Sequence, residues 1–439
     1  MGVAEVDGAA RNWFRTRFNT ESTSSTRLFR INILMILKAK ARDYKIVGQK
    51  DGGGMAGHVI VVGLGIAGSG IAATLARRGF QVTGVEQFVP LHERGSSHGD
   101  TRIYRRVPHE GDVYVGMASE SLAGWRAWNG LAGENLLVEC GGIDAGPAQS
   151  PMVAAAEELC MRYGQAFELM SGETFNRRHG HFNLPGGWRV VFQPESGVVR
   201  PDAARSFLHG LAREAGARLM HGTPVLGIES SATGVRVETA GETLVGDAVV
   251  VSAGSWLSRM FPGLDLPLRA ERRVLAWHRP EAAENLMDGR LPIFCFDADG
   301  GWYGMPTPDG RIKVGHDKHL PQRVDPENLP IAPGEEDAAF LEACVGRYFR
   351  GFEARADAMK PCIYTIAEDH HFLVDWHPAH ANVLLFSCCS GHGFKYAPVY
   401  GEIAADLIAG RPRPELDLFR LVRGGVGVTR FGSEDLRTG

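Results

Sequence analysis

The sequence predicts an α/β fold, α+β in its middle part, on two strand-loop-helix patterns at opposite ends of the chain and a less regular mixture between them. The first begins with His58-Val59-Ile60-Val61-Val62, a β-branched apolar run that leads straight into glycines, as a buried parallel strand does. The second comes near the other end, where residues 382–387 form an apolar strand that runs into the loop 390–394 and a helix over 399–408 ending at Gly410. Between them, helices are predicted over 153–163 and 203–215, and strands over 235–238 and 248–252 as parts of a hairpin or sheet. A domain assembled from separated segments explains why the same pattern returns so late.

The chain has 439 residues, 44% of them hydrophobic, enough for a large core and about two to three domains. Its formal charge of −4 gives no basic field that would favour nucleic acid or an anionic membrane. Seven cysteines, at 140, 160, 295, 344, 362, 388 and 389, form an odd set without zinc-type CxxC pairs, which fits a reducing compartment. A cytoplasmic location is expected. No apolar run approaches the roughly 18 residues of a spanning helix, so no membrane crossing is expected. Residues 1–54 differ from the rest, rich in Arg, Ser, Thr and Asn and ending in Gly52-Gly53-Gly54. They read either as an Arg-rich leader or as a disordered extension preceding a start at Met55. Residues 422–439 read as a frayed tail.

After the first strand, residues 70–78 suit a helix closed by Gly79, and 81–86 a second strand, which completes a β-α-β unit. Gly63, Gly65 and Gly68 then stand in the GxGxxG spacing between strand and helix. The first permits the tight turn, the second lets backbone approach a pyrophosphate, and the third lets helix pack on strand. Helix N-terminal amides would face the phosphate charge. Glu86, at the end of the second strand, can accept hydrogen bonds from ribose hydroxyls and would repel a 2′-phosphate, which disfavours NADP. The unit is Rossmann-like, and by itself it does not separate FAD from NAD.

Further motifs are more specific. Gly95-Ser96-Ser97-His98-Gly99-Asp100-Thr101-Arg102 follows the second strand, Lys313-Val314-Gly315-His316 lies in the middle, Cys362-Ile363-Tyr364-Thr365 precedes Asp369-His370-His371-Phe372, and Ser390-Gly391-His392-Gly393-Phe394-Lys395 follows the last strand. In this order they resemble the monomeric sarcosine oxidase family, which includes N-methyltryptophan oxidase and pipecolate oxidase, over roughly residues 58–421.

The resemblance implies a Rossmann-like FAD-binding domain built from 55–137, 196–266 and 369–421, and a mixed-sheet substrate domain from 138–195 and 267–368. It implies FAD, contacted by Thr101, Gly391 and Gly393 and attached covalently through Cys362. Arg105 and Lys395 match the pair that holds the substrate carboxylate; a carboxylate taken into a water-poor site needs cationic partners, and a guanidinium grips it bidentately. Lys313 matches the lysine that promotes reaction with oxygen, Arg102 the arginine near the flavin ring, and Tyr303 and Tyr364 tyrosines of the substrate cavity. Relatives place an active-site histidine two residues after the glycine of the Lys313 strand; here His316 follows Gly315 directly and is the candidate. His370, His371, His377 and His380, with Asp369 and Asp375, have no defined metal-ligand spacing, and no metal is expected.

The expected activity is oxidation of a secondary amino acid, N-methylated or cyclic, to an imine that hydrolyses, with oxygen reduced to hydrogen peroxide. Partners are then an amino acid and oxygen, and the expected state is a monomer. The alternatives are a flavin dehydrogenase that passes electrons to a partner and an NAD-dependent dehydrogenase.

Overall fold

A computed structural model of the chain describes residues 57–319, 322–328 and 332–423. The expectations for 1–54 and for most of the tail lie outside the described residues. No helix among the described residues is long and apolar enough to cross a membrane.

A six-stranded sheet has the order 373–377, 380–387, 248–251, 58–62, 81–85 and 218–220. Its neighbours are parallel except 373–377 with 380–387, an antiparallel pair. The strand His58–Val62 is central and four of its five residues are buried, because helices and a small sheet cover both faces. Pairing passes from this strand to 81–85 on one side and to 248–251 on the other, so the order reverses here and leaves a crevice at the strands' carboxyl ends. The helix after the first strand runs Ile66–Arg77 and begins inside the glycine motif, four residues before the predicted start, which brings its amino end to the crevice.

A nine-stranded sheet has the order 322–323, 268–278, 312–316, 302–306, 293–296, 142–146, 189–193 and 168–171, with 358–367 also paired to the long strand Leu268–His278. One face rests on an aromatic core that includes Phe182, Phe294, Phe296 and Phe349. The other carries the polar groups described below.

The stretches 235–238 and 248–252 are both strands but do not pair with each other. Gly234–Thr239 lies in a separate antiparallel sheet with Val225–Ser231 and Thr243–Gly246 and alternates buried with exposed residues, whereas Ala248–Val251 is wholly buried in the six-stranded sheet. Alternation marks a sheet with one wet face, and an unbroken apolar run marks cover on both.

Candidate active site

A groove of about 620 Å³ opens along the carboxyl ends of the parallel strands. Gly63 there has φ of 88°, and a Cβ on it would stand 2.7 Å from the Ser252 carbonyl oxygen; on Gly68 it would stand 1.8 Å from the Gly63 carbonyl oxygen. The turn and the close helix crossing therefore both require glycine. A Cβ on Gly65 would meet only Ser97 Oγ, at 3.1 Å, so backbone faces the groove at that point. Glu86 accepts the Leu64 amide at 3.0 Å and the Phe88 amide at 3.1 Å. Burial pushes its carboxyl up, but His92 and these amides outweigh burial and hold it below the ordinary value, so it meets the groove as a carboxylate. On the opposite wall Gly391 has φ of 80°, and a Cβ on Gly393 would collide with the Cys388 carbonyl oxygen at 1.7 Å. Two glycine turns from opposite ends of the chain thus leave a backbone-lined slot, the form a dinucleotide needs.

The substrate side is laid out by strand register. Cys362 lies opposite Arg273, and Trp277 opposite Lys313; Gly315 is opposite both Leu275 and Tyr303, and the row continues through Cys295 to Asp144. Residues opposite each other share a face, so these side chains form one floor. Tyr303 and Tyr364 join hydroxyl to hydroxyl at 2.8 Å across it.

Lys313 is 1% exposed. Its ammonium donates to Asp100 Oδ1 at 2.9 Å and to the Thr101 carbonyl at 2.6 Å, while Trp277 Nε1 donates to Asp100 Oδ2 at 2.7 Å. Burial pulls the ammonium down to about 8 although Asp100 opposes it. Arg102 donates to the carbonyls of Thr101 and Ser96 at 2.9 and 3.0 Å, and its guanidinium stands 4.0 Å from Cys362 Sγ. The buried Cys362 thiol is pushed up by its surroundings, with Arg102 and Lys313 pulling the other way.

Arg105 donates to Asp144 Oδ1 at 2.7 Å and to Glu110 Oε1 at 3.0 Å. Lys395, 3.8 Å from the same Glu110 oxygen, donates to the His392 carbonyl at 2.8 Å. The Lys395 carbonyl is itself held by Ser121 and by Trp125 Nε1 at 2.7 Å, so the helix Asp112–Ala132 sets where this ammonium points. Burial lowers the Lys395 ammonium to about 8 against Glu110. Burial likewise pushes the Glu110 carboxyl up, but Arg105 and Lys395 hold it well below the carboxylate range. Two enclosed cations therefore converge on one shared carboxylate, a geometry that an incoming carboxylate can take over.

The family model described as FAD dependent oxidoreductase matches residues 58–407. The chain belongs to the FAD dependent oxidoreductase family. It is 31% identical over 373 residues to monomeric sarcosine oxidase of Bacillus sp. (strain B-0618), covering 83% of this chain and 95% of that protein. It is 30% identical over 369 residues to N-methyl-L-tryptophan oxidase of Salmonella newport (strain SL254), covering 83% and 98%. Among solved structures, NikD, an amino acid oxidase of nikkomycin biosynthesis, superposes with a TM-score of 0.71 at 21% identity, covering 80% of this chain and 93% of NikD. Glycine oxidase from Geobacillus kaustophilus gives 0.71 at 19% identity, covering 84% and all of that chain.

One side chain of this FAD-dependent oxidoreductase is placed differently from expectation. His316 turns away from the floor, because side chains alternate along a strand and Lys313 and Gly315 take the floor face. Its Nδ1 accepts the Lys318 amide at 3.1 Å, its Nε2 lies 3.0 Å from the Asp299 carbonyl, and its ring packs on Trp302 and Phe340. Burial lowers it to about 4, so the ring is neutral where it packs. Thr101 is fully buried; its hydroxyl donates to Asp100 at 3.2 Å and its carbonyl accepts from the Lys313 ammonium at 2.6 Å. Reading along the sequence missed Asp100, Glu110 and Asp144. Asp144 carried a signal, an acid inside the otherwise apolar and wholly buried strand Gly142–Gly146. Among the described residues no group of three or more His, Cys, Asp or Glu could hold a metal ion; His371 bonds the Tyr114 hydroxyl at 2.9 Å and His377 stacks on His380.

Proposed function

We propose that this FAD-dependent oxidoreductase is an oxidase of amino acids that carry a secondary amine, N-methyl amino acids among them, and that it produces hydrogen peroxide. The observation that carries the reading is the pair of enclosed cations, Arg105 and Lys395, sharing Glu110, together with the buried ammonium of Lys313 and the joined tyrosines of the floor. The relatives at about 30% identity named for sarcosine and N-methyl-L-tryptophan support it.

FAD, when bound, would supply the acceptor for the hydride equivalent lost from the C–H bond beside the amine nitrogen, as C–N becomes C=N, and the path of electrons to oxygen. Residues 55–137, 196–266 and 369–421 would hold it, with the glycine turns against the pyrophosphate, Glu86 on a ribose and Cys362 as the point of covalent attachment. Arg105 keeps its bond to Asp144 and exchanges Glu110 for the substrate carboxylate, while Lys395 meets the same carboxylate from the other side. Tyr303 and Tyr364 bound the cavity beside the reacting carbon. The amine must be neutral to be oxidised, because its lone pair drives loss of the hydride, and the enclosed floor favours that form. Lys313, fixed by Asp100 and Thr101, presents a positive charge where negative charge develops on oxygen.

The test is aerobic turnover of sarcosine, N-methyl-L-tryptophan and L-pipecolate with peroxide as readout, run beside a denaturing gel. Peroxide formation with at least one of them, together with flavin fluorescence on the wild-type band that is absent from Cys362→Ser, supports the reading. Flavin reduction without peroxide would make the protein a dehydrogenase, and fluorescence lost from the wild-type band would remove the covalent link.

A further inference from the structure

The floor beneath Arg105 and Lys395 carries one carboxylate that nothing matches. Asp317 directly follows the strand Ile312–His316, and its amide donates to the Gly301 carbonyl at 3.0 Å. The alternation that puts Lys313 and Gly315 on the floor continues to Asp317 and sends His316 to the core. The register that sets Leu275 opposite Gly315 likewise brings Arg273 beside Asp317. The carboxyl lies within electrostatic reach of Arg273, His109, Arg105 and Glu110, and both floor tyrosines feel its charge.

The neighbouring charges are committed elsewhere. Arg105 holds Asp144 and Glu110. Arg273 donates to Glu271 at 2.7 Å and to the Arg272 carbonyl at 2.9 Å, with its guanidinium over the Tyr364 ring. Among the described residues Asp317 takes no hydrogen bond or ion pair from any side chain. The protein lining the cleft raises its carboxyl above the ordinary value against the pull of Arg273, His109 and Arg105, while the side chain itself stays open to solvent. Position adds direction: Lys395 and Arg105 are 3% and 6% exposed, whereas Asp317 is exposed, next to the Gly300-Gly301 turn. A substrate whose α-carboxylate is anchored at the deep cations extends its side chain towards the open end, where Asp317 stands.

We propose that Asp317 reads the end of the substrate side chain and selects secondary amino acids that carry a second, cationic nitrogen there, an ammonium or guanidinium. The proposal rests on the secondary-amine reading above and narrows its substrate class. A cationic end forms a charge-assisted bond with Asp317 as the ligand displaces water from the cleft. A neutral end strips that water and returns nothing, and an anionic end is repelled.

The holoenzyme tests this without turnover. Titration of the flavin spectrum with 5-aminopentanoate and with hexanoate, which match in length and differ in terminal charge, should show the amino acid binding at least about tenfold more tightly to the wild type. In Asp317→Asn the two should bind within about twofold, and Asp317→Lys should prefer glutarate. In turnover, Nα-methyl-L-lysine should exceed N-methyl-L-norleucine through KM with kcat little changed, and the advantage should vanish in Asp317→Asn. Equal binding of both ligands to the wild type, or a preference that survives in Asp317→Asn, overturns the proposal while leaving secondary-amine oxidation intact. If no ligand perturbs the flavin and no secondary amine bleaches it, the underlying reading falls and takes the proposal with it.

Discussion

The dinucleotide groove and the substrate floor adjoin, yet one is built almost wholly of backbone and the other of charged side chains brought from distant parts of the chain. The groove depends on space: Gly63, Gly68 and Gly393 are needed because any Cβ would strike a carbonyl oxygen. The floor depends on compensation, since Arg105, Lys395 and Lys313 are all enclosed and the charge of each is balanced by a carboxylate from another segment. The first kind of site fails by steric exclusion of the cofactor, the second by loss of charge balance while the fold and cofactor remain.

That distinction orders the expected effects. Gly68→Ala should be the most severe, because its methyl would need to overlap the Gly63 carbonyl; the protein should purify without flavin absorbance and with a lowered Tm. Retention of normal flavin content would show that the turn is more pliable than its contacts indicate. Lys395→Met should keep the flavin and lose about a thousandfold in kcat/KM for an N-methyl amino acid, the cost of leaving one partner of an enclosed pair unmatched. Colour lost together with activity would break the separation of groove from floor.

Lys313→Met should slow reoxidation of the reduced flavin by about 100-fold and leave anaerobic reduction nearly unchanged, as stopped-flow measurement of the two half-reactions would show. The same residue sets a pH dependence. Because Lys313 is lowered to about 8 from the ordinary lysine range, its charged form is present below that pH and lost above it. Reoxidation of the wild type should therefore fall as pH rises through about 8, and the variant should give a flat profile. The smallest effect belongs to His316→Gln: kcat/KM should stay within about twofold, while Tm drops by a few degrees for one or two lost hydrogen bonds of about 1 kcal/mol each. A hundredfold loss of kcat/KM would return His316 to the reacting centre.

The same contrast explains what could be read along the chain. A glycine turn is local, so the spacing of Gly63, Gly65 and Gly68 between a strand and a helix already contains the backbone argument, and Glu86 follows from the length of the second strand. The floor is non-local. Asp144 meets Arg105 across 39 positions and Lys313 meets Asp100 across 213, and no spacing rule connects them. His316 shows how much rests on one position, since a step of one residue on a strand exchanges the faces of the sheet and brings Asp317 to the floor instead. Lys395 was nearer to legible because a glycine loop follows the last parallel strand, although the shared Glu110 beneath it was not.

The bond network of Lys313 has a consequence for anyone who recombines such proteins. The lysine belongs to the nine-stranded sheet, whereas Asp100 and Thr101 come from the segment that follows the second strand of the six-stranded one. A chimera cut at the sheet boundaries would inherit the ammonium from one parent and its two anchors from the other. Residues 95–102 should therefore travel with the sheet that carries the lysine, as a graft of the Ile312–His316 strand alone would move the charge without the groups that aim it.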